Sequence, residues 1–270
     1  MMRVGFIGLG SQGAPMARMI ASAGYPLTLW ARRAASLAPL ADVAASSAGS
    51  PAELAAACDL VGLCVFNDDD VREVALAGGL LAAMPPGSIL AIHSTVHPDT
   101  CQEIAAAAPR GVEVLDAPVS GSGEAALQRR LAVMVGGDAA AFEAARPVFE
   151  TFGAPVRRMG PLGTGQLCKL VNNILLTANL KLAADAMSFG RGLGIEHAAL
   201  HEMLMASSGR SFALDAGERM IRPAVADHVA ALFRKDLDLA MEAAARAGLD
   251  ISVLRDVARR TIADVEALAR

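Results

Sequence analysis

The sequence predicts an α/β protein in two parts: a doubly wound, mostly parallel sheet, followed by an all-α region with a long first helix. Three observations carry this. Short, continuously apolar runs recur through residues 1–162, as expected of strands covered on both faces. Helical patterns separate those runs, which is the layout of a parallel sheet wrapped by helices. After Gly160-Pro161-Leu162-Gly163 no strand-like run follows.

Residues 4–9, 27–30, 60–66, 89–93 and 112–115 read as buried strands, with 131–135 and 156–159 as further candidates. Residues 14–22, 51–57, 69–77, 98–108 and 139–152 read as the helices between them. Beyond the Gly-Pro-Leu-Gly turn, helices are expected over 165–191, 197–206, 212–220, 229–247 and 252–269, punctuated by Gly194, Pro223 and Gly248. The expected domains are residues 1–162 and 163–270, with the long helix starting at a cleft between them, a preferred place for ligand sites.

Composition narrows the function classes. The chain has 270 residues, 54% hydrophobic and 19% charged, so a sizeable core is available. A net charge of −4 and the absence of a long basic run argue against a nucleic-acid surface. The four cysteines show no CxxC spacing, which argues against a zinc cluster or redox motif. The longest apolar run, residues 54–66, is broken by Asp59 and is too short to span a bilayer. No signal peptide fits ahead of the first strand, so a cytoplasmic protein without a membrane partner is expected.

The first strand runs into Gly8-x-Gly10-x-x-Gly13 and then a helix. Glycines so spaced allow a tight turn, backbone approach to a pyrophosphate and close helix–strand packing, while the helix N-terminus offers N–H groups to phosphate. Dinucleotide binding by residues 8–13 is the reading. An NAD site usually carries an acid some 20 residues past these glycines. The second strand here ends Trp30-Ala31-Arg32-Arg33, with no acid before Asp42. Arg32 and Arg33 suit a 2′-phosphate, so NADP(H) is expected over NAD(H), with NAD(H) possible; a solvated arginine pair is the competing reading.

Asp116–Leu127, "DAPVSGSGEAAL", places Ser120, Gly121, Ser122 and Gly123 after a strand, where ligands bind in such sheets. Successive N–H groups and hydroxyls make a cradle for a small carboxylate, or else a flexible turn. In "GTGQLCKLVNN", residues 163–173, Lys169 and Asn173 stand four apart and share a helix face, with Asn172 beside them. Apolar neighbours disfavour the ammonium, bringing Lys169 toward the range of a general acid/base. A lysine whose stem covers apolar surface would look the same. His93 and His97 read as local hydrogen-bonding groups, and Asp68, Asp69 and Asp70 as caps for the helix that follows.

Taken in order, these motifs resemble the β-hydroxyacid dehydrogenase family, which includes 3-hydroxyisobutyrate dehydrogenases and semialdehyde reductases. The resemblance spans nearly the whole chain. It rests on Gly8 to Ala17, on Ser94-Thr95-Val96-His97-Pro98, on Asp116 to Gly121, on Gly163 to Asn173 and on Lys235-Asp236-Leu237. It implies a Rossmann domain followed by a helical domain that makes homodimers or homotetramers. It implies Lys169 as general acid/base supported by Asn173, and Ser120, Gly121 and the position of Ser122 around the substrate carboxylate. Gly8, Leu9, Gly10, Ser11, Gln12 and Gly13 would wrap the cofactor, Arg32 would read the 2′-phosphate, and Thr95 and Lys235 would approach the nicotinamide. The chain departs from the family at Ser122, usually glycine; at Arg129-Arg130-Leu131, usually Gly-Thr-Leu; at Ala31, usually Asn; and at Phe66–Asp70, usually a proline-containing loop. Two other readings are an imine reductase or reductive aminase on the same scaffold, which Lys169 opposes, and an NADP-binding protein without turnover.

Overall fold

The structure is a computed structural model and describes residues 1–268. It divides into two compact units, residues Met1–Lys169 and a second that begins at Leu170.

The first unit is built on a nine-stranded sheet. Its strands are β1 Val4–Ile7, β2 Leu27–Trp30, β3 Ser46–Ser47, β4 Leu60–Leu63, β5 Ile89–Ile92, β6 Glu113–Asp116, β7 Val119–Ser120, β8 Leu131–Gly136 and β9 Gly153–Gly160. The order is β3-β2-β1-β4-β5-β6-β8-β7, with β9 beside β8. The run from β3 to β6 is parallel, as its buried strands predict. β8 lies antiparallel to β6 and β7 antiparallel to β8, while β9 is parallel to β8.

β1 pairs with β2 on one side and β4 on the other, so winding reverses there. Such a switch point opens a crevice at the carboxyl ends of the strands, where open α/β sheets bind ligands. Alternating side chains of β1 supply both layers. Phe6 packs into a cluster with Met16, Ile20 and Phe149, and Ile7 into a second with Leu54, Leu63 and Ile92.

The helices of this unit are α1 Gly13–Ser22, α2 Pro51–Ala56, α3 Asp68–Arg72, α4 Leu80–Ala83, α5 Pro98–Ala106, α6 Gly123–Leu127 and α7 Ala139–Phe149. Their starts follow capping chemistry: Ser50 accepts from Glu53 N–H ahead of Pro51, and Asp138 from Ala140 and Ala141 N–H. α3 continues as a π turn over Glu73–Ala77. Its cap is Asn67, which accepts from Asp70 N–H. The acidic run Asp68–Asp70 fills the first turn of α3, as expected of a helix start, but the capping side chain is Asn67, and the Asp68 carboxylate accepts from His97 N–H and Thr100 Oγ1. β3, β7, α4 and α6 are elements beyond the expected set.

The long helix α8, Thr164–Gly192, runs from the first unit into the second. α9 His197–Ala206, α10 Phe212–Met220, α11 Ala226–Arg246 and α12 Ser252–Leu268 follow. Leu170, Ile174, Leu237, Ala240, Ala258 and Ile262 form the main core of the second unit. The expected helix end at 269 lies outside the described residues. Among the described residues no helix is long and apolar enough to cross a membrane, and no group of His, Cys, Asp or Glu could hold a metal ion.

Candidate active site

β1 ends at Ile7 and the chain turns at Gly8, whose φ of 92° lies in the left-handed region. A Cβ at Gly8 would stand 2.0 Å from the Cys64 carbonyl oxygen, and one at Gly13 1.9 Å from that of Gly8. These two glycines are demanded by packing. Gly10 differs, because a Cβ there would meet nothing within 4 Å. Leu9 is buried in the core and Ser11 is exposed. Gln12 precedes α1 without capping it, and its Nε2 is buried without a hydrogen-bond partner. The first turn of α1 carries no acid. An open glycine, an unsatisfied amide and an uncapped helix N-terminus at the sheet's switch point fit a dinucleotide pyrophosphate.

Arg32 and Arg33 follow β2 and are exposed. Arg32 Nη1 lies 3.3 Å from Glu73 Oε2 and 3.6 Å from Asp70 Oδ1. Arg33 stands at the start of a 3₁₀ turn over Ala34–Leu40.

The loop after β5 is clamped on both sides of Thr95. Ser94 Oγ accepts from Val65 N–H at 2.8 Å. The fully buried Gln166 donates from Nε2 to the Ser94 carbonyl at 2.8 Å and accepts at Oε1 from Val96 N–H at 3.1 Å. His93, below this loop, is buried with Nδ1 2.8 Å from the Ala117 carbonyl and rings of Phe6, Phe149 and Phe152 around it. Burial pulls its pKa down to about 4, and it is a core residue rather than a catalytic one.

β6 leads through Ala117 and Pro118 to the half-buried Ser120 and to Gly121, whose φ is 130°. Ser122 Oγ accepts from Ala125 N–H at 3.3 Å, so its side chain starts α6. A Cβ at Gly123 would stand 2.4 Å from the Ser11 carbonyl oxygen. The loop carrying Ser120 and Gly121 therefore lies against the loop carrying Gly10 and Ser11, with no room for a methyl between them.

Asp116, at the end of β6, is fully buried and aims at the start of α8. Its Oδ1 accepts from Gly163 N–H at 2.7 Å and its Oδ2 from Gln166 N–H at 2.6 Å. A Cβ at Gly165 would stand 2.7 Å from Asp116 Oδ2 and 2.4 Å from the Met134 carbonyl oxygen. The Gly-x-Gly of residues 163–165 is thus set by the carboxylate that holds the helix. Burial pushes the Asp116 carboxyl up, against the N–H groups of Gly163 and Gln166, which favour its charge. Lys169 follows Gln166 by nearly one turn and is 9% exposed. Asn173 is one turn further along the same face of α8.

In the second unit, Asn173 Nδ2 donates to Asp236 Oδ2 at 2.6 Å, and Asn173 Oδ1 accepts from Asn172 Nδ2 at 2.9 Å. Lys235 Nζ lies 3.3 Å from Asp236 Oδ1. Lys235 and Asn173 are therefore gathered by one buried carboxylate. Within the first unit the structure brings together the Gly8–Gly13 turn, the Ser120–Gly123 loop, and Thr95 with the start of α8. Sequence reasoning misses Gln166, Asp116 and Asp236 as supports. Each is a polar side chain at a core position, which is the signal that could have found them.

Residues 3–160 match the family described as the NAD binding domain of 6-phosphogluconate dehydrogenase. Residues 163–268 match the family described as the NAD-binding domain of NADP-dependent 3-hydroxyisobutyrate dehydrogenase. The chain is 39% identical over 255 residues to an NAD-dependent L-serine dehydrogenase of Pseudomonas aeruginosa, covering 90% of this chain and 86% of that protein. It is 33% identical over 258 residues to a 2-hydroxy-3-oxopropionate reductase of Escherichia coli, covering 93% and 87%. Among solved structures, 3-hydroxyisobutyrate dehydrogenase of Mycobacterium tuberculosis with L-serine superposes with a TM-score of 0.86 at 28% identity, covering 99% of this chain and 94% of that one.

Proposed function

This chain belongs to the β-hydroxyacid dehydrogenase family, and on that footing we propose that it is an NADP(H)-dependent oxidoreductase interconverting a small β-hydroxy acid and its semialdehyde or keto form, with Lys169 as general acid/base. The observation that carries the reading is Lys169 itself: a lysine 9% exposed, on a helix whose start is held by the buried Asp116.

The bound nicotinamide supplies or takes up hydride. The remaining work belongs to the chain. Ser120 and the N–H of Gly121 hold the substrate carboxylate, with the Ser122 backbone beside them. Lys169 gives a proton to the carbonyl oxygen during reduction and removes it from the hydroxyl during oxidation. Asn173 orients the substrate oxygen and Lys169 from one helix turn away. Gly10, Ser11 and Gln12 receive the pyrophosphate, Thr95 and Lys235 the nicotinamide end, and Arg32 and Arg33 the 2′-phosphate. L-Serine is a 3-hydroxy acid and is named for two of the proteins this chain resembles, which places it first among substrates to assay.

The exposed Val171, Leu175, Leu182 and Phe189 on α8 support a homodimer or homotetramer through the helical part, a state light scattering would read.

Replacement of Lys169 by Ala tests the reading. The kcat is expected to fall by about 10²–10⁴-fold while NADPH still binds by fluorescence titration. Turnover near that of the parent would refute Lys169 as the acid/base. Comparable kcat/KM with NADH and NADPH would refute the NADP(H) preference.

A further inference from the structure

We propose that Asp70 and Glu73 limit the selectivity of this protein for NADP(H) over NAD(H), by meeting the 2′-phosphate at Arg32. The proposal rests on the reading of Arg32 as a 2′-phosphate ligand.

The stretch after β2, Trp30-Ala31-Arg32-Arg33, has no acid of its own. The fold supplies two from another element. Arg32 Nη1 lies 3.3 Å from Glu73 Oε2 and 3.6 Å from Asp70 Oδ1. Asp70 lies in α3, and Glu73 opens the π turn that extends it, with Gly78 N–H donating to the Glu73 carbonyl at 2.6 Å. The side chain of Arg33, the next residue, makes no hydrogen bond or ion pair among the described residues, while its carbonyl accepts from Ser36 N–H.

The Arg32 side chain is 69% exposed and that of Glu73 59%, so the ion pair adds little to stability. Its consequence is for binding. A phosphate monoester carries between one and two negative charges near neutral pH. Arriving at Arg32, it must displace two carboxylates from the guanidinium and then sit beside them. A free 2′-hydroxyl meets no such repulsion and finds an acceptor in Glu73. The two acids therefore weaken NADP(H) selectively, leave the nicotinamide end untouched, and keep NAD(H) usable.

Calorimetric titration of NADPH, NADH and 2′,5′-ADP into the parent protein, Glu73→Gln, Asp70→Asn and Arg32→Ala tests this without turnover. Glu73→Gln is expected to tighten NADPH and 2′,5′-ADP about fivefold, the worth of one unit charge a few ångströms away in a watery site. NADH should stay within about twofold, and the gain should shrink at about 1 M salt, where the screening length falls to about 3 Å. Asp70→Asn should act in the same direction and more weakly, since its carboxylate is the more distant. Arg32→Ala should weaken NADPH and 2′,5′-ADP while sparing NADH. If Arg32→Ala does so but neither acid variant changes NADPH binding, the present proposal is wrong and the role of Arg32 stands. If Arg32→Ala spares NADPH as well, the role of Arg32 falls and the proposal with it.

Discussion

Two glycine turns of this protein run into helices, and the two helix starts are finished in opposite ways. Both turns contain Gly-x-Gly, and both lie in the first compact unit. At α1 the end is left open among the described residues: no side chain caps it, no acid stands in its first turn, and Gly10 faces open space. At α8 a fully buried carboxylate, Asp116, takes the N–H groups of Gly163 and Gln166, and Gly165 is pressed against it. A helix end left open keeps its partial positive charge for an anionic ligand. One closed by the protein's own carboxylate is committed to structure. The same local sequence pattern thus leaves one helix start open and closes the other, on the helix that carries Lys169.

The difference can be broken by substitutions on each side. The largest effect is expected at Gly10→Val. Its Cβ meets no protein atom within 4 Å, so the fold should tolerate it, while cofactor affinity should fall by on the order of a hundredfold as the side chain takes the pyrophosphate's place. Fluorescence titration with NADPH reads this. On the closed side, Asp116→Asn keeps the shape but turns an amide NH₂ toward helix N–H donors. It should cost about 2–3 kcal/mol in urea unfolding, because one buried N–H donor loses its acceptor and faces another donor.

His93, directly after β5, is held neutral by burial with a pKa of about 4. An unfolded histidine titrates near 6.5, so the unfolded state binds more protons between these values. This part of the stability is present above about pH 6.5 and is lost as pH falls toward about 4. His93→Phe should show a shallower loss of urea midpoint over that window than the parent does. The smallest effect sharpens the comparison at a third turn. Arg129 has φ 57°, a left-handed conformation that glycine adopts without strain, and among the described residues its guanidinium reaches only the Glu150 carbonyl. Arg129→Gly should stabilise by about 1 kcal/mol, read as a rise in Tm.

How much of this is legible in the sequence follows from the range of the interactions. The parallel strands β1, β2, β4, β5 and β6 announce themselves as apolar runs, and the five helices after Gly163 by their periodicity. β3 and β7 are two residues each, and α4 and α6 are too short to show a period. The reversed direction of β8 leaves no mark, because an apolar run has no polarity. In the candidate site the glycines are legible and their partners are not. Gln166 has no partner visible in the sequence, because the Ser94 carbonyl it donates to lies 72 positions away. The pairing of Glu73 with Arg32 is equally invisible, since β2 and the end of α3 meet only in the folded sheet. Ser122 looks in sequence like an intrusion into the carboxylate cradle, yet its hydroxyl accepts from Ala125 N–H and starts α6.

Thermal unfolding of Gly10→Val and Asp116→Asn, each with and without saturating NADPH, tests the contrast between the two helix starts most directly. A ligand that binds only the native state raises Tm. Gly10→Val should melt with the parent when alone and, at an NADPH concentration that saturates the parent, gain only a small fraction of the parent's rise. Asp116→Asn should melt lower when alone and keep the NADPH-induced rise. A full NADPH shift in Gly10→Val, or a parental Tm in Asp116→Asn, would contradict the account.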